Sequence, residues 1–115
     1  MKLDDSSSFK LIHSFRLPRV LTWGDKDPEK REIIRDCASQ RFKKPTFIYE
    51  WCGFRILVKR NRHARNIDIE NVPKLIVDSF SGAILSKDNS KYKDLELYPD
   101  DDLRYVRIVH AEGPN

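Results

Sequence analysis

Residues 71–80, with the sequence NVPKLIVDSF, determine how the second half of the chain folds. Proline lacks a backbone N–H and would clash inside a helix, so Pro73 has to lie in the first turn of one. Glu70 or Asn71 can cap this helix, and Asn71 is the better cap. We expect the helix to stop at Gly82. The apolar residues recur at helical spacing, and the inward face that they predict consists of Val72, Leu75, Ile76, Ser79 and Phe80.

The polar side of this helix has three residues on one face, because positions 71, 74 and 78 lie on successive turns. We expect Asn71, Lys74 and Asp78 to point away from the apolar side. Two carboxylates, Asp68 and Glu70, come just before the helix. In the plainest interpretation the residues before the helix act as caps, and Lys74 forms an ion pair with Asp78.

The first half of the chain predicts a strand followed by a helix. Residues 9–17 alternate apolar and polar side chains, which indicates a strand with one buried face that Pro18 ends. Asp27 followed by Pro28 predicts a helix start, with Asp27 as the N-cap and a helical pattern that continues to Phe42. This helix should bury Ile33, Ile34, Cys37, Ala38 and Phe42, and should expose Lys30, Arg31, Asp36 and Gln40.

The remaining segments complete an α+β pattern. Residues 46–51 and 54–59 favour two strands around Cys52 and Gly53, or one strand with a bulge at the glycine. Residues 83–99 exceed the usual loop length, which indicates a mobile or functional excursion with a short element near Leu95. Residues 103–110 predict a last strand. The order favours α+β architecture, with a small mixed sheet and two main helices.

Composition limits the class of protein. A length of 115 residues predicts one domain over residues 1–115, with flexible ends at 1–8 and 111–115. No apolar run approaches the roughly 20 residues of a membrane span. Acidic residues at the start differ from a signal peptide, so we expect an intracellular protein. Two cysteines, Cys37 and Cys52, are too few for a disulfide scaffold or a Cys₄ zinc site and are expected to be core thiols.

Charge is unevenly distributed around a net value of +4. The basic stretch before the second helix consists of Lys59, Arg60, Arg62, His63 and Arg65. Such a stretch can hold a phosphate backbone, or it can be a solvated loop. Asp100, Asp101 and Asp102 precede the last strand, and three adjacent carboxylates repel one another unless they are solvated or share a cation. Carboxylates from two loops suit Mg²⁺, and a nearby lysine can stabilise a charged phosphate.

Residues 62–80, with the sequence RHARNIDIENVPKLIVDSF, resemble the motif of the RusA-like Holliday junction resolvase family. In that motif, basic residues lead into D-x-D-N-x-x-K and an amphipathic helix that ends in D-x-h, where h is apolar. A later Asp-Asp pair before a strand completes that family's active site. The resemblance implies a RusA-like fold and a Mg²⁺-dependent endonuclease, with Mn²⁺ as an alternative ion. It also implies branched DNA as substrate, a homodimer, no small-molecule cofactor, and a location in the cytoplasm or at the nucleoid.

The resemblance assigns roles residue by residue. Asp68 and Glu70 correspond to the metal carboxylates, Lys74 to the catalytic lysine, and Asn71 to the motif asparagine beside the nucleic acid. Asp101 or Asp102 supplies the remaining metal ligand, and the Asp102 register is slightly favoured. Glu70 departs from the family's second aspartate. That departure keeps open a degenerate resolvase or another non-catalytic nucleic-acid-binding protein, and a small interaction domain whose acids are only caps is a third possibility.

Overall fold

The computed structural model describes residues 11–43, 51–58, 72–100 and 105–112. Within these ranges the elements are helix α1 (Asp27–Ser39), strand β1 (Cys52–Leu57), helix α2 (Pro73–Ser79), helix α3 (Gly82–Lys87), a 3₁₀ turn (Lys93–Leu95) and strand β2 (Val106–Glu112). The two strands pair in parallel, and α2 and α3 lie between them in the chain. The described part is therefore a small α+β domain, as the sequence predicts.

Helix α1 begins one residue earlier than the sequence indicates. Lys26 is the N-cap, in the left-handed region at φ 55°, and Asp27 is the first helical residue. The Asp27 carboxylate accepts a hydrogen bond from the Gly24 N–H at 2.8 Å, so it stabilises the turn before the helix instead of the helix end. The predicted N-cap is therefore wrong by one residue. Gly24 has a φ of 133°, a backbone conformation that favours glycine.

Helix α2 confirms the role of Pro73, which is its first residue. The predicted inward face is confirmed as well, because Leu75, Ile76 and Ser79 are buried, as are the flanking Val72 and Phe80. The N-cap is Val72, so the assignment of the cap to Asn71 or Glu70 is wrong. Gly82 does not end this helix either. The backbone becomes extended at Ser81, and Gly82 is instead the first residue of α3.

The hydrophobic core lies between α1, α2 and the inward side of β1, and Phe80 is at its centre. The Phe80 ring stacks on Phe42 with the ring centroids 5.2 Å apart, and on Phe54 at 6.4 Å. Phe54 also meets the Tyr98 ring edge to face. Burying one such aromatic side chain contributes about 2 to 3 kcal/mol. This cluster joins the strand to both helices.

The predicted N-terminal strand is not found in its described part, residues 11–17. Side chains of this segment nevertheless pack onto the core. The His13 ring stacks on Phe42 at 4.2 Å, and Phe15 meets Phe42 and Phe80 edge to face. Exposure still alternates, with Phe15 and Leu17 partly buried and Arg16 exposed. A segment with one side on a core shows this alternation whether or not a second strand pairs with it.

The sheet contains an irregularity opposite Cys52 and Gly53, close to where the sequence predicts one. Strand β1 begins at Cys52 and includes Gly53, and most of the predicted segment 46–51 lies outside the described residues, so the choice between two strands and one bulged strand stays open. The extra residue is in the other strand, however. Cys52 pairs with Val106 and Gly53 pairs with Ile108, which leaves Arg107 without a partner in the register. Strand β1 therefore keeps its alternation, and β2 changes phase by one residue.

Residues 83–99 pack against the core through Leu95, Leu97 and Tyr98, so the mobile alternative for this segment is wrong. Helix α3 and the 3₁₀ turn lie within this segment, and the turn confirms the short element expected near Leu95. Leu85, Leu95 and Leu97 are buried. Their spacing is irregular because they belong to short elements, so periodicity does not reveal them. The last strand is confirmed as β2, which extends to Glu112, beyond its predicted end.

Candidate functional site

Lys74, in the first turn of α2, is exposed to solvent and forms an ion pair with one acidic residue. The Lys74 side chain is 52% exposed, and its Nζ lies 3.3 Å from Oδ2 of Asp78. The predicted ion pair is therefore confirmed. The position of Asp78 differs from the prediction, because this residue is only 8% exposed. Every residue from Leu75 to Ser79 is buried, so the solvent-exposed face of α2 is too narrow to include both Lys74 and Asp78.

Two arginines of α1 are buried beside this helix. Arg31 is 8% exposed and Arg35 is fully buried. Both contact Asp88, in the turn after α3. Arg31 donates from Nε to Oδ2 at 2.7 Å and from Nη2 to Oδ1 at 2.8 Å, while Nη1 of Arg35 lies 3.0 Å from Oδ2. The prediction that Arg31 is exposed is wrong, because the charge of Asp88 compensates its burial.

The helical spacing of residues in α1 indicates which face these arginines share. Arg31, Ile34, Arg35 and Ala38 are spaced i, i+3, i+4 and i+7, which is one helix face, and all four are buried. Arg31 and Arg35 lie on this buried face although they are charged, so charge alone does not indicate exposure in α1. Long basic side chains can pack along an apolar face when their charged ends form ion pairs with acidic groups.

Arg35 extends the network to α2 and to the chain beyond α3. Its Nε donates to the backbone oxygen of Ser79, the last residue of α2, at 2.7 Å. Its Nη1 donates to Oε1 of Glu32 at 3.0 Å, and the same oxygen accepts a hydrogen bond from the Ser90 hydroxyl. Arg35 Nη2 is buried and has no hydrogen-bond partner in the described part of the chain. Charged hydrogen bonds thus join α1 to the end of α2.

The electrostatics of this network keep Arg31 and Asp88 charged. The hydrogen bond to Asp88 raises the pKa of the Arg31 guanidinium, and burial opposes this effect. The charges of Asp88, Asp78 and Asp27 raise it further. Burial alone would raise the pKa of Asp88, but the hydrogen bonds and charges of Arg31 and then Arg35 outweigh burial and hold it below its ordinary value. Asp88 is therefore a carboxylate at neutral pH.

The segment that leads to the predicted acid cluster is fixed on the α2–α3 junction. The Tyr98 hydroxyl donates to the backbone oxygen of Val77. The N–H of Gly82 donates to the backbone oxygen of Tyr98 at 2.8 Å, and Ala83 N–H donates to that of Pro99 at 3.0 Å. Asp100 follows directly and is exposed. Asp100 thus comes directly after a segment that is hydrogen-bonded to the α2–α3 junction.

Most of the predicted site lies outside the described residues. Lys74 is described. The other predicted site residues are Lys59, Arg60, Arg62, His63, Arg65, Asp68, Glu70, Asn71, Asp101 and Asp102, and these lie outside. Across residues 11–43, 51–58, 72–100 and 105–112, no three His, Cys, Asp or Glu side chains are grouped so that they could hold a metal ion. In those same ranges every helix is too short or too polar to cross a bilayer.

Of the two predicted core thiols, Cys52 packs against the core, whereas Cys37 is partly buried and is not among the core residues. Burial raises the pKa of Cys52 to about 11, and burial and then Asp36 raise the pKa of Cys37. Both cysteines are free, and neither is a thiolate at neutral pH. Of the aromatic residues, Phe54 packs against the core, whereas Trp23 is 45% exposed.

Comparison of the chain with protein-family models, curated proteins and solved structures gives no match. The resemblance to RusA-like resolvases therefore depends on the motif in residues 62–80 and the later aspartates.

Proposed function

We propose that the chain is a Mg²⁺-dependent endonuclease of the RusA-like type that hydrolyses phosphodiester bonds of branched DNA such as a four-way junction. The observation that carries the proposal is the placement of Lys74. Its ammonium is half exposed in the first turn of a buried helix and is paired with Asp78. In sequence, Lys74 comes four residues after Glu70 and six after Asp68. A fixed cation close in sequence to hard acids is what phosphoryl chemistry favours.

The chemistry of the donor set fits magnesium. Asp68, Glu70 and Asp101 or Asp102 would hold the ion, because Mg²⁺ prefers a few carboxylate oxygens and leaves positions for water and phosphate. Mn²⁺ accepts the same ligands. When bound, the ion would polarise the phosphate and make a water molecule a stronger nucleophile at neutral pH. Sulfur and imidazole ligands are absent from this set.

The residues of the chain itself would bind and orient the DNA. Lys74 would place a point charge against the phosphate, where negative charge increases in the transition state. Neighbouring Leu75 is fully buried and Ile76 nearly so, so the first turn of α2 is anchored in the core and the lysine backbone is fixed. The basic stretch around Arg60 and Arg62, with Asn71, would hold the sugar-phosphate backbone outside the reacting bond.

A homodimer is part of the proposal. A four-way junction is nearly two-fold symmetric, and paired cuts on opposite strands need two active sites related by a matching axis. We expect a dimer by analytical ultracentrifugation at micromolar concentration. A monomer both with and without junction DNA would contradict paired cutting. With DNA as the substrate, the protein would act in the cytoplasm or at the nucleoid.

The experiment that tests the proposal compares cutting with binding on a labelled four-way junction, with Mg²⁺ or with EDTA. Asp68→Asn keeps the size of the side chain and removes its charge, so cleavage should fall by orders of magnitude while junction binding persists. Lys74→Ala should reduce cleavage more than binding. Glu29→Gln, in the first turn of α1, is a matched acid-to-amide control that should behave as wild type.

Two results would contradict the nuclease proposal. One is cleavage by Asp68→Asn at the wild-type rate. The other is wild-type protein that binds the junction tightly and cuts it with neither Mg²⁺ nor Mn²⁺. The second result would instead support the alternative function, a nucleic-acid-binding protein in which Glu70 replaces an aspartate and activity has been lost.

A further inference from the structure

We infer that Asp78 is a positioning residue, which fixes the Lys74 ammonium for the phosphate, and that the buried charges of α1 in turn hold Asp78. The inference rests on the proposed endonuclease function. It assigns Asp78 a role through Lys74 and not through a metal. It also gives the buried arginines of α1 a place in the same site.

The two partners of the Lys74–Asp78 pair differ in exposure. In an ordinary surface pair with this spacing, both side chains are mobile and hydrated, so neither one fixes the other. Here the Asp78 side chain is 11% exposed, while that of Lys74 is 52% exposed. A nearly buried carboxylate has few rotamers available to it. Its Oδ2 therefore gives the lysine ammonium one fixed contact at 3.3 Å.

A buried carboxylate is stable only when other charges compensate it. Arg31 supplies part of this compensation, because the charge of Asp78 contributes to the raised pKa of its guanidinium. Arg31 is itself fixed by two hydrogen bonds to Asp88. Arg35 binds the backbone oxygen of Ser79, the residue next to Asp78. Helix α1 thus places the positive charge of Arg31 near Asp78 and binds the backbone of the residue next to it.

Ion pairs join Arg31, Arg35, Glu32 and Asp88 in one group and Lys74 with Asp78 in a second. The effect of the Asp78 charge on Arg31 and the hydrogen bond from Arg35 to Ser79 couple the two groups into one network that is balanced in charge. Its cations are Arg31, Arg35 and Lys74, and its anions are Glu32, Asp78 and Asp88. Five of the six side chains are at most 34% exposed, and the remaining one is Lys74. The exposed cation is therefore the member that can meet a phosphate, and the other five can hold it in place.

Removal of the Asp78 charge should separate rate from affinity. Asp78→Asn leaves the positive charge of Lys74 in place but frees its position, so junction affinity should stay within about threefold of wild type. The single-turnover cleavage rate should fall about 10- to 100-fold, the usual effect of a catalytic group displaced by about an ångström. Asp78→Glu restores the charge and should recover part of this loss.

Asp36→Asn is the matched control, because it makes the same acid-to-amide change on α1 at an exposed residue outside the network. Its cleavage rate should equal that of wild type. Equal losses in Asp78→Asn and Asp36→Asn would show a general structural effect and overturn the inference. In the Lys74→Met background, Asp78→Asn should cause no further loss of rate. If Asp78→Asn lowers the cleavage rate of the Lys74→Met protein as much as it lowers that of wild type, Asp78 does not act through Lys74.

A measurement of lysine mobility decides the inference without activity. By NMR relaxation of the side-chain Cε and Nζ groups, Lys74 should be more ordered than Lys87, an exposed lysine at the end of α3. Asp78→Asn should make the two alike, and Asp36→Asn should not. Lys74 as mobile as Lys87 in the wild-type protein would overturn the inference. Lack of cleavage with an ordered Lys74 would instead refute only the nuclease proposal.

Discussion

Asp88→Asn should be among the most damaging single changes in this protein. The Asp88 side chain is 3% exposed and accepts hydrogen bonds or ion pairs from two buried guanidinium groups, those of Arg31 and Arg35. Asparagine has nearly the same size, so the packing is preserved. It lacks the charge, however, and one of its two terminal groups is an N–H donor that would face other donors.

The magnitude follows from the buried cations. Removal of one partner from a buried ion pair destabilises a protein by about 3 to 5 kcal/mol, because the remaining charge has no compensation. Asparagine retains one acceptor, so we expect about 3 kcal/mol. For a chain of this size that loss corresponds to a fall in Tm of about 10 °C. In urea it corresponds to a midpoint lower by roughly 2 M.

The dependence on pH supplies a second test. The folded-state pKa of Asp88 lies below its ordinary value of 3.8, so its charge stabilises the folded state above that pH. This stabilisation is lost as the pH falls through the lower folded-state pKa. The difference in unfolding free energy between wild type and Asp88→Asn should therefore be constant from neutral pH to about pH 4 and should shrink below it.

Urea unfolding followed by circular dichroism measures both effects, with Asp36→Asn as the control. Asp36 also lies on α1 and also accepts a hydrogen bond from a residue after α3, Tyr92, but it is exposed. Its substitution should cost less than about 1 kcal/mol. If Asp88→Asn unfolds within about 0.5 kcal/mol of wild type at pH 7, the buried network does not hold α1 against α3, and the reasoning from burial is refuted.

Three further predictions concern other parts of the molecule. Burial and the charge of Lys43 lower the pKa of His13 below 6.5. As the pH falls from 6.5 to that lower pKa, the wild type should therefore lose stability relative to His13→Phe. A difference in Tm between the two proteins that stays the same from pH 5 to pH 7 would contradict this prediction. Phe80→Ala should destabilise the fold by about 3 to 5 kcal/mol in the same urea assay. Replacement of Arg60 and Arg62 by alanine should weaken DNA binding equally for unrelated sequences and lower the salt slope by roughly one per lost phosphate contact, and an unchanged slope would place both residues off the DNA.

The sequence by itself determined the elements whose signals are local. Pro73 fixed the start of α2 because proline is excluded from helix interiors, and the apolar spacing after it fixed the inward face. Helical geometry also determined that Lys74 and Asp78 form a pair, since residues four apart lie on adjacent turns. The chemistry proposed for the site comes from the sequence as well, because the carboxylates and basic residues of the motif are read from residue type and spacing.

Only the tertiary structure decided which charges are buried. Arg31 and Asp88 are 57 positions apart, so no local pattern could indicate that they meet. Their meeting placed Arg31 on the inside of α1 and, with Arg35, joined α1 to the end of α2 beside Asp78. The parallel pairing of β1 with β2 and the bulge at Arg107 are likewise contacts between distant segments. Local sequence sets dihedral preferences and periodicity, whereas the compensation of a buried charge depends on which distant group reaches it.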